Sequence, residues 1–254
     1  MNRKSHGLVL VGLIVLLTLN GSGLIMAEDI SKAYIYQVGS YNVAALEQFS
    51  SNSWAAQDQV GDHNWSLTSQ AGDKNSSYIY QQGQGNQSSQ IQDGSFNIAF
   101  AKLIGNNNSS IQMQDGWGNI LSIDQNGSDN HFVQTQIGSE NEARAHTTGD
   151  KNTVSQIQTG SLNYSNVAIP GNNNIVSHSQ LPLLIGLGNY ACAQIYGNSN
   201  IISQKQSGML NHSKVQVSGD GNTVTHIQIG AFLSQEIAVV GNGGKTKVVQ
   251  MGIF

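Results

Sequence analysis

The chain predicts an all-β fold: a cross-β-like β-solenoid of about ten 22-residue rungs, two strands per rung forming two facing parallel sheets. Three observations predict it. Glycine recurs every 11 residues from Gly61 to Gly171 and, after a slip of four residues, from Gly186 to Gly252. Around most of these glycines stands the phrase Gln-x-Gly-x-x-Asn. The residues two, four and six places after the Asn fall into two classes that alternate from one 11-residue segment to the next. A short, strict period of this kind is one supersecondary unit stacked many times.

The first element is a leader. Arg3 and Lys4 precede an apolar run from Leu8 to Leu19, and Ala27 stands before Glu28-Asp29. This order reads as a secretory signal peptide over residues 1–27. The apolar run is short of the roughly 20 residues that a membrane-spanning helix needs. Residues 28–254 are then the solenoid.

The repeating element follows. From Asn to Gln there are seven residues, an ordinary strand length. The next four form a turn in which Gly takes φ > 0 and Asn tolerates it. The first such turns carry Gly39, Asn42, Gly61, Asn64, Gly83, Asn86, Gly94, Asn97, Gly105 and Asn108. Within a strand, residues two apart share a face. In one class the last inward residue is always glutamine: Gln48, Gln70, Gln92, Gln114, Gln136, Gln158, Gln180, Gln206, Gln228 and Gln250. In the other it drifts from Gln37 and Gln59 to Ile195, Val217 and Val239. The true period is therefore 22.

An inward glutamine is costly when its amide is unpaired. Stacked one rung apart, each glutamine can pair with the next, as in cross-β amide ladders. Low charge (10%) and only two prolines suit such ladders. The aliphatic column of the second class supplies apolar packing opposite. At about 4.8 Å per rung the rod is roughly 50 Å long.

The last elements are the irregular ones. The Asn slot is Ser31 and Ser53 at the start and Leu233 and Gly244 at the end, as terminal repeats deviate. After Gln180, the segment Leu181-Pro182-Leu183-Leu184-Ile185 makes one turn four residues too long. Proline there cannot join a ladder, so one loop should bulge outward while the stack continues.

No catalytic pattern emerges, and no cofactor or metal is expected. Asp62, Asp73, Asp150 and Asp220 each follow a turn glycine. Calcium-binding toxin repeats need a nine-residue period, so these aspartates read as turn stabilisers. His178 and His226 occupy inward positions two rungs apart, about 10 Å by rung spacing, too far to share a metal. A net charge of −4 and no basic cluster argue against nucleic acid as a partner. The single cysteine, Cys192, excludes an internal disulfide. Tyr34, Tyr36, Trp54, Tyr78, Tyr80 and Phe100 all fall on the outer face of one strand class in the first four rungs, a predicted exposed aromatic stripe suited to contact.

The phrases Gln37-Val-Gly39-Ser-Tyr-Asn42-Val-Ala44, with Gln48 following, and Gln92-Asp-Gly94-Ser-Phe-Asn97-Ile-Ala99 resemble the curlin repeat. The likeness covers essentially the whole chain after the leader. It implies a subunit of bacterial curli, a secreted functional amyloid that serves adhesion and biofilm matrix. It also implies three partners: further copies of the chain, a related curlin subunit and an outer-membrane secretion pore. Glycine in both turns looks more like the nucleating subunit than the major one, and the sequence leaves that choice open. A non-polymerising solenoid adhesin that binds glycan through a flat face is the other reading.

Overall fold

In the computed structural model, residues 31–181 and 188–252 are described in full, and residues 13–19 and 22–27 by backbone only. Strands alternate between two sheets as the chain climbs. Numbered in chain order, the odd strands are β1 (Leu13–Leu19), β3 (Lys32–Val38), β5 (Trp54–Asp62), β7 (Ser76–Gln84), β9 (Ile98–Ile104), β11 (Ile120–Asn126), β13 (Glu142–Thr148), β15 (Tyr164–Pro170), β17 (Tyr190–Tyr196), β19 (His212–Ser218) and β21 (Ser234–Val240). The even strands are β2 (Ser22–Ala27), β4 (Val43–Ser51), β6 (Trp65–Asp73), β8 (Gln87–Ser95), β10 (Ser109–Trp117), β12 (His131–Ser139), β14 (Thr153–Ser161), β16 (Ile175–Leu181), β18 (Ile201–Met209), β20 (Thr223–Ala231) and β22 (Lys245–Met251). Each set forms one sheet in sequence order, and every pairing is parallel.

The register is that of the 22-residue period. Gln112 lies beside Gln134, Gln114 beside Gln136 and Gly116 beside Gly138. Glycine holds this register for two reasons. Gly94 sits at φ +102, and a Cβ on it would run into the carbonyl of Gly116 one rung on. Only a residue without a side chain satisfies both the left-handed backbone and that approach.

Past the long turn the stack continues. Tyr164 pairs with Tyr190 and Ile175 with Ile201, an offset of 26 residues instead of 22. The expected bulge itself, residues 182–187, lies outside the described residues.

Each sheet has eleven strands where ten were expected. The additional pair comes from the leader: β1 aligns with β3, Leu16 beside Ile35, and β2 with β4, Ile25 beside Leu46. An aliphatic, β-branched run meets an otherwise unpaired sheet edge, and the backbone groups there are satisfied by pairing.

The core is not uniformly apolar. From Ile123 and Phe132 onward one aliphatic cluster runs to Ile237, and a second holds Ala33, Ile35, Ala44, Leu46 and Ala55. The sequence predicted one aliphatic column. Between the clusters, buried Ile79, Ala101 and Leu103 share the interior with polar residues that bond to one another: Gln57 donates to Thr68 at 2.9 Å, Ser66 donates to Gln57 at 2.9 Å, and Thr68 meets Ser77 at 3.2 Å. These buried groups satisfy each other across the two sheets, which removes most of the burial cost.

Candidate assembly site

The glutamine column is an unbroken chain of bonds. Nε2 of Gln48 donates to Oε1 of Gln70 at 2.8 Å, Gln70 to Gln92 at 2.7 Å, Gln92 to Gln114 at 2.8 Å and Gln114 to Gln136 at 3.2 Å. It goes on from Gln136 to Gln158, Gln180, Gln206, Gln228 and Gln250 at 2.7–2.9 Å. The second N–H of each amide crosses to the facing sheet, as Gln92 does to the Ser76 carbonyl at 2.9 Å and Gln136 to that of Ile120 at 2.9 Å. Each glutamine thus links rung to rung and sheet to sheet.

The turn asparagines run the opposite way. Asn64 sends both its backbone N–H and its Nδ2 to Oδ1 of Asn42, at 3.0 and 3.1 Å. Asn86 repeats this on Asn64 at 3.1 and 3.0 Å. Asn108 sends its backbone N–H to Asn86 at 3.0 Å, and Asn97 sends its own to Asn75 at 3.0 Å. Their amides also donate to the glycine carbonyl of the next rung: Asn42 to Gly61 at 2.7 Å, Asn64 to Gly83 at 2.9 Å and Asn86 to Gly105 at 2.8 Å. Glutamine donors therefore point toward the C-terminal end and the asparagine side chains' mutual donors toward the N-terminal end.

The two ends differ. Gln48 Oε1 is buried at the N-terminal end without a hydrogen-bond partner, with Ala27 of the leader as its register neighbour. At the other end, β22 alternates only between exposed and half-buried residues. Gln250 lies in the last described rung, and its Nε2 turns to the Ser234 carbonyl at 3.3 Å and Gln235 Oε1 at 3.2 Å. Val240 and Met251 are 86% and 76% exposed on this rung. No folded cap covers it among the described residues.

The turn aspartates act on the backbone. Oδ1 of Asp62 accepts from the N–H of Ser40 at 2.8 Å, Asp150 from Ser128 at 2.7 Å and Asp220 from Asn198 at 2.6 Å. Asp73 lies on the opposite edge of the rod, where Asn52 Nδ2 reaches it at 3.3 Å. The described residues contain no group of three or more His, Cys, Asp or Glu that could hold a metal.

His178 and His226 replace glutamine in the second inward column, each with Nδ1 against a serine hydroxyl, Ser165 at 2.8 Å and Ser213 at 2.6 Å. Burial pushes the His178 pKa down to about 3 and lowers that of His226. Both are held neutral because neither ring has a charge partner to offset desolvation. Cys192 is buried on β17, and burial raises its thiol pKa.

All six stripe aromatics point outward, but they are less open than the sequence predicts. Trp54 is exposed, while Tyr34, Tyr36, Tyr78, Tyr80 and Phe100 are half-buried. The rings shield one another along the rod: Trp54 stacks on Tyr78 at 6.1 Å and Tyr78 on Phe100 at 5.6 Å. Asp58 lies among them and accepts from the Tyr78 hydroxyl at 2.7 Å. Desolvation raises the pKa of both groups, against the opposing pull of the hydrogen bond on Asp58.

No family model matches the chain, and no curated protein is significantly similar to it.

Proposed function

We propose that the chain is a secreted structural subunit whose activity is self-association, building extracellular curli-type fibres for adhesion and biofilm matrix. The observation that carries this reading is the complementarity of the two end rungs: the glutamine donors all run toward the last described rung, and on the first full rung the buried Gln48 Oε1 has no donor. The opposite end supplies what is missing. Stacked in register on the first rung of a second copy, Gln250 Nε2 meets the orphaned Gln48 Oε1. Val239 and Val248, partly buried at the open end, then face Gln37 and Leu46. Open strand edges supply the backbone bonds. The curlin-like repeat supports the same reading, and with it export through an outer-membrane pore and a related curlin subunit as partner.

The test is growth of fibres from purified chain lacking residues 1–27. The expected result is seeded elongation with a meridional reflection near 4.7 Å. A stable monomer at high concentration that ignores seeds overturns the reading.

A further inference from the structure

The two outer faces of the rod treat charge differently. On the odd sheet charged side chains pair within the rod. Lys102 lies 3.6 Å from Asp124, which also has His146 at 3.5 Å; Arg144 meets Glu142, and Lys214 lies 2.7 Å from Glu236. On the even sheet, outward positions carry Glu47, Asp93 and Asp115 on β4, β8 and β10, and Lys205, Lys245 and Lys247 on β18 and β22. Among the described residues none of these six has an ion-pair partner, whereas Asp73, at the turn end of β6, is held by Lys74 at 3.6 Å. The six are sorted by sign along the rod. Counting from β4, the acids lie in the first four rungs and the lysines in the last three. Apart from His131 near the middle, the face is neutral in sum, acidic at one end and basic at the other.

The same face exposes aliphatic side chains between its serines and threonines. Ile91, Met113, Ile137, Ile157, Ile175 and Ile201 are 39–47% exposed on it, while the odd face exposes only Trp54, Ile98, Tyr196 and Val240 among its large apolar residues. A shallow groove of about 270 Å³ is lined by Ile91, Met113, Thr135 and Ile137 together with Asp93 and Asp115. Those two aspartates are register neighbours, and like charges side by side in a sheet are destabilising. Nothing within a single rod offsets that repulsion.

We infer that this face is the interface of an antiparallel pair of chains, even sheet against even sheet. A second copy is the occupant because the face is its own electrostatic complement, as a two-fold interface requires. A two-fold axis parallel to the strands, level with the gap between β12 and β14, sets β4 of one copy against β22 of the other and β8 against β18. Glu47 then lies beside Lys247 of the other copy, Asp93 beside its Lys205 and Ile137 beside its Ile157. A parallel pair would instead lay acid on acid and lysine on lysine. The area is sufficient. The even strands from β4 to β22, about 23 Å long and about 4.8 Å apart, present about 1,100 Å², more than the roughly 800 Å² per partner of a standard stable interface. The pairing uses no end-to-end contact, so it stands or falls apart from the fibre proposed above.

The first measurement is sedimentation equilibrium of the full chain, whose residues 1–27 occupy the strand edge that end-to-end growth would use. A dimer is expected, with a dissociation constant that rises about tenfold between about 0.05 and 0.5 M salt as the charges are screened. Lys205→Glu/Lys245→Glu/Lys247→Glu makes the face acidic throughout, and Glu47→Lys/Asp93→Lys/Asp115→Lys makes it basic throughout. Each variant should sediment as a monomer alone, and the two should dimerise when mixed. If either fails to fold, the parent's salt series and the cross-link still decide. Ser69→Cys on β6 and Ile227→Cys on β20 lie opposite each other only in an antiparallel pair, and the native Cys192 is buried. A short bis-maleimide should link these two variants when mixed and neither to itself. A parent that stays monomeric, a dimer indifferent to salt, charge variants that dimerise alone, or Ser69→Cys linking to itself overturns the pairing. A dimer from the full chain without fibres from the trimmed chain overturns only the fibre reading, and fibres without a dimer overturn only the pairing.

Discussion

The inward glutamines show how one residue type can serve as a core. Gln136 accepts from Gln114 and donates to both Gln158 and the Ile120 carbonyl. Replacing it with Leu leaves two buried amide groups unpaired at ~1–3 kcal/mol each. Gln136→Leu should therefore cost about 2–6 kcal/mol, read as a shift in the urea midpoint. The inward histidines carry the pH dependence. With the folded pKa of His178 at about 3 and its ordinary value 6.5, the unfolded chain binds the extra proton throughout that window. Stability is then full above pH 6.5 and falls as pH drops toward 3, at up to ~1.4 kcal/mol per unit. His178→Gln should flatten this slope between pH 4 and 6.5 in denaturant titrations, since glutamine already fills that column elsewhere. A slope unchanged by the substitution would show that the proton goes to another group.

At the scale of the element, the turn decides the strand. Gly94 stands at φ +102 against the Gly116 carbonyl, so Gly94→Ala adds backbone strain of ~1–3 kcal/mol and a collision with the next rung. We expect a loss of at least about 3 kcal/mol. The hydrogen-exchange protection of β8 and β10 should fall before that of β18 and β20. Strand lengths, turns and inward columns were legible because period 11 and alternation by two are both written in the residues. The polar layer around Gln57, Thr68 and Ser77 was legible only as inward positions. Which of them meet depends on how the two sheets face each other.

At the scale of the whole molecule, the proposed assembly would depend on two unlike ends. The leader strands β1 and β2 pair with β3 and β4, the same edge that an incoming copy needs. A chain retaining residues 1–27 can still add its own β21 and β22 to a filament, after which that end is closed. Mixed with trimmed chain, it should shorten fibres in proportion to its fraction, as counted by electron microscopy. Equal lengths at every ratio would show that the leader leaves the edge free. Substituting Gln250→Leu should slow seeded elongation severalfold, and because Gln228 then loses the acceptor of one buried N–H, the monomer should lose ~1–3 kcal/mol in the urea midpoint.

The sequence by itself determined the solenoid, its 22-residue rung, its inward and outward faces and the register of its glutamine column, because each is a local repeat read along one dimension. Only the tertiary structure decided the direction in which each ladder donates, which buried polar groups bond across the core and the shielding of the aromatic stripe. Those depend on which side chains from different rungs and facing sheets come within bonding distance. That closeness arises only when the strands are stacked.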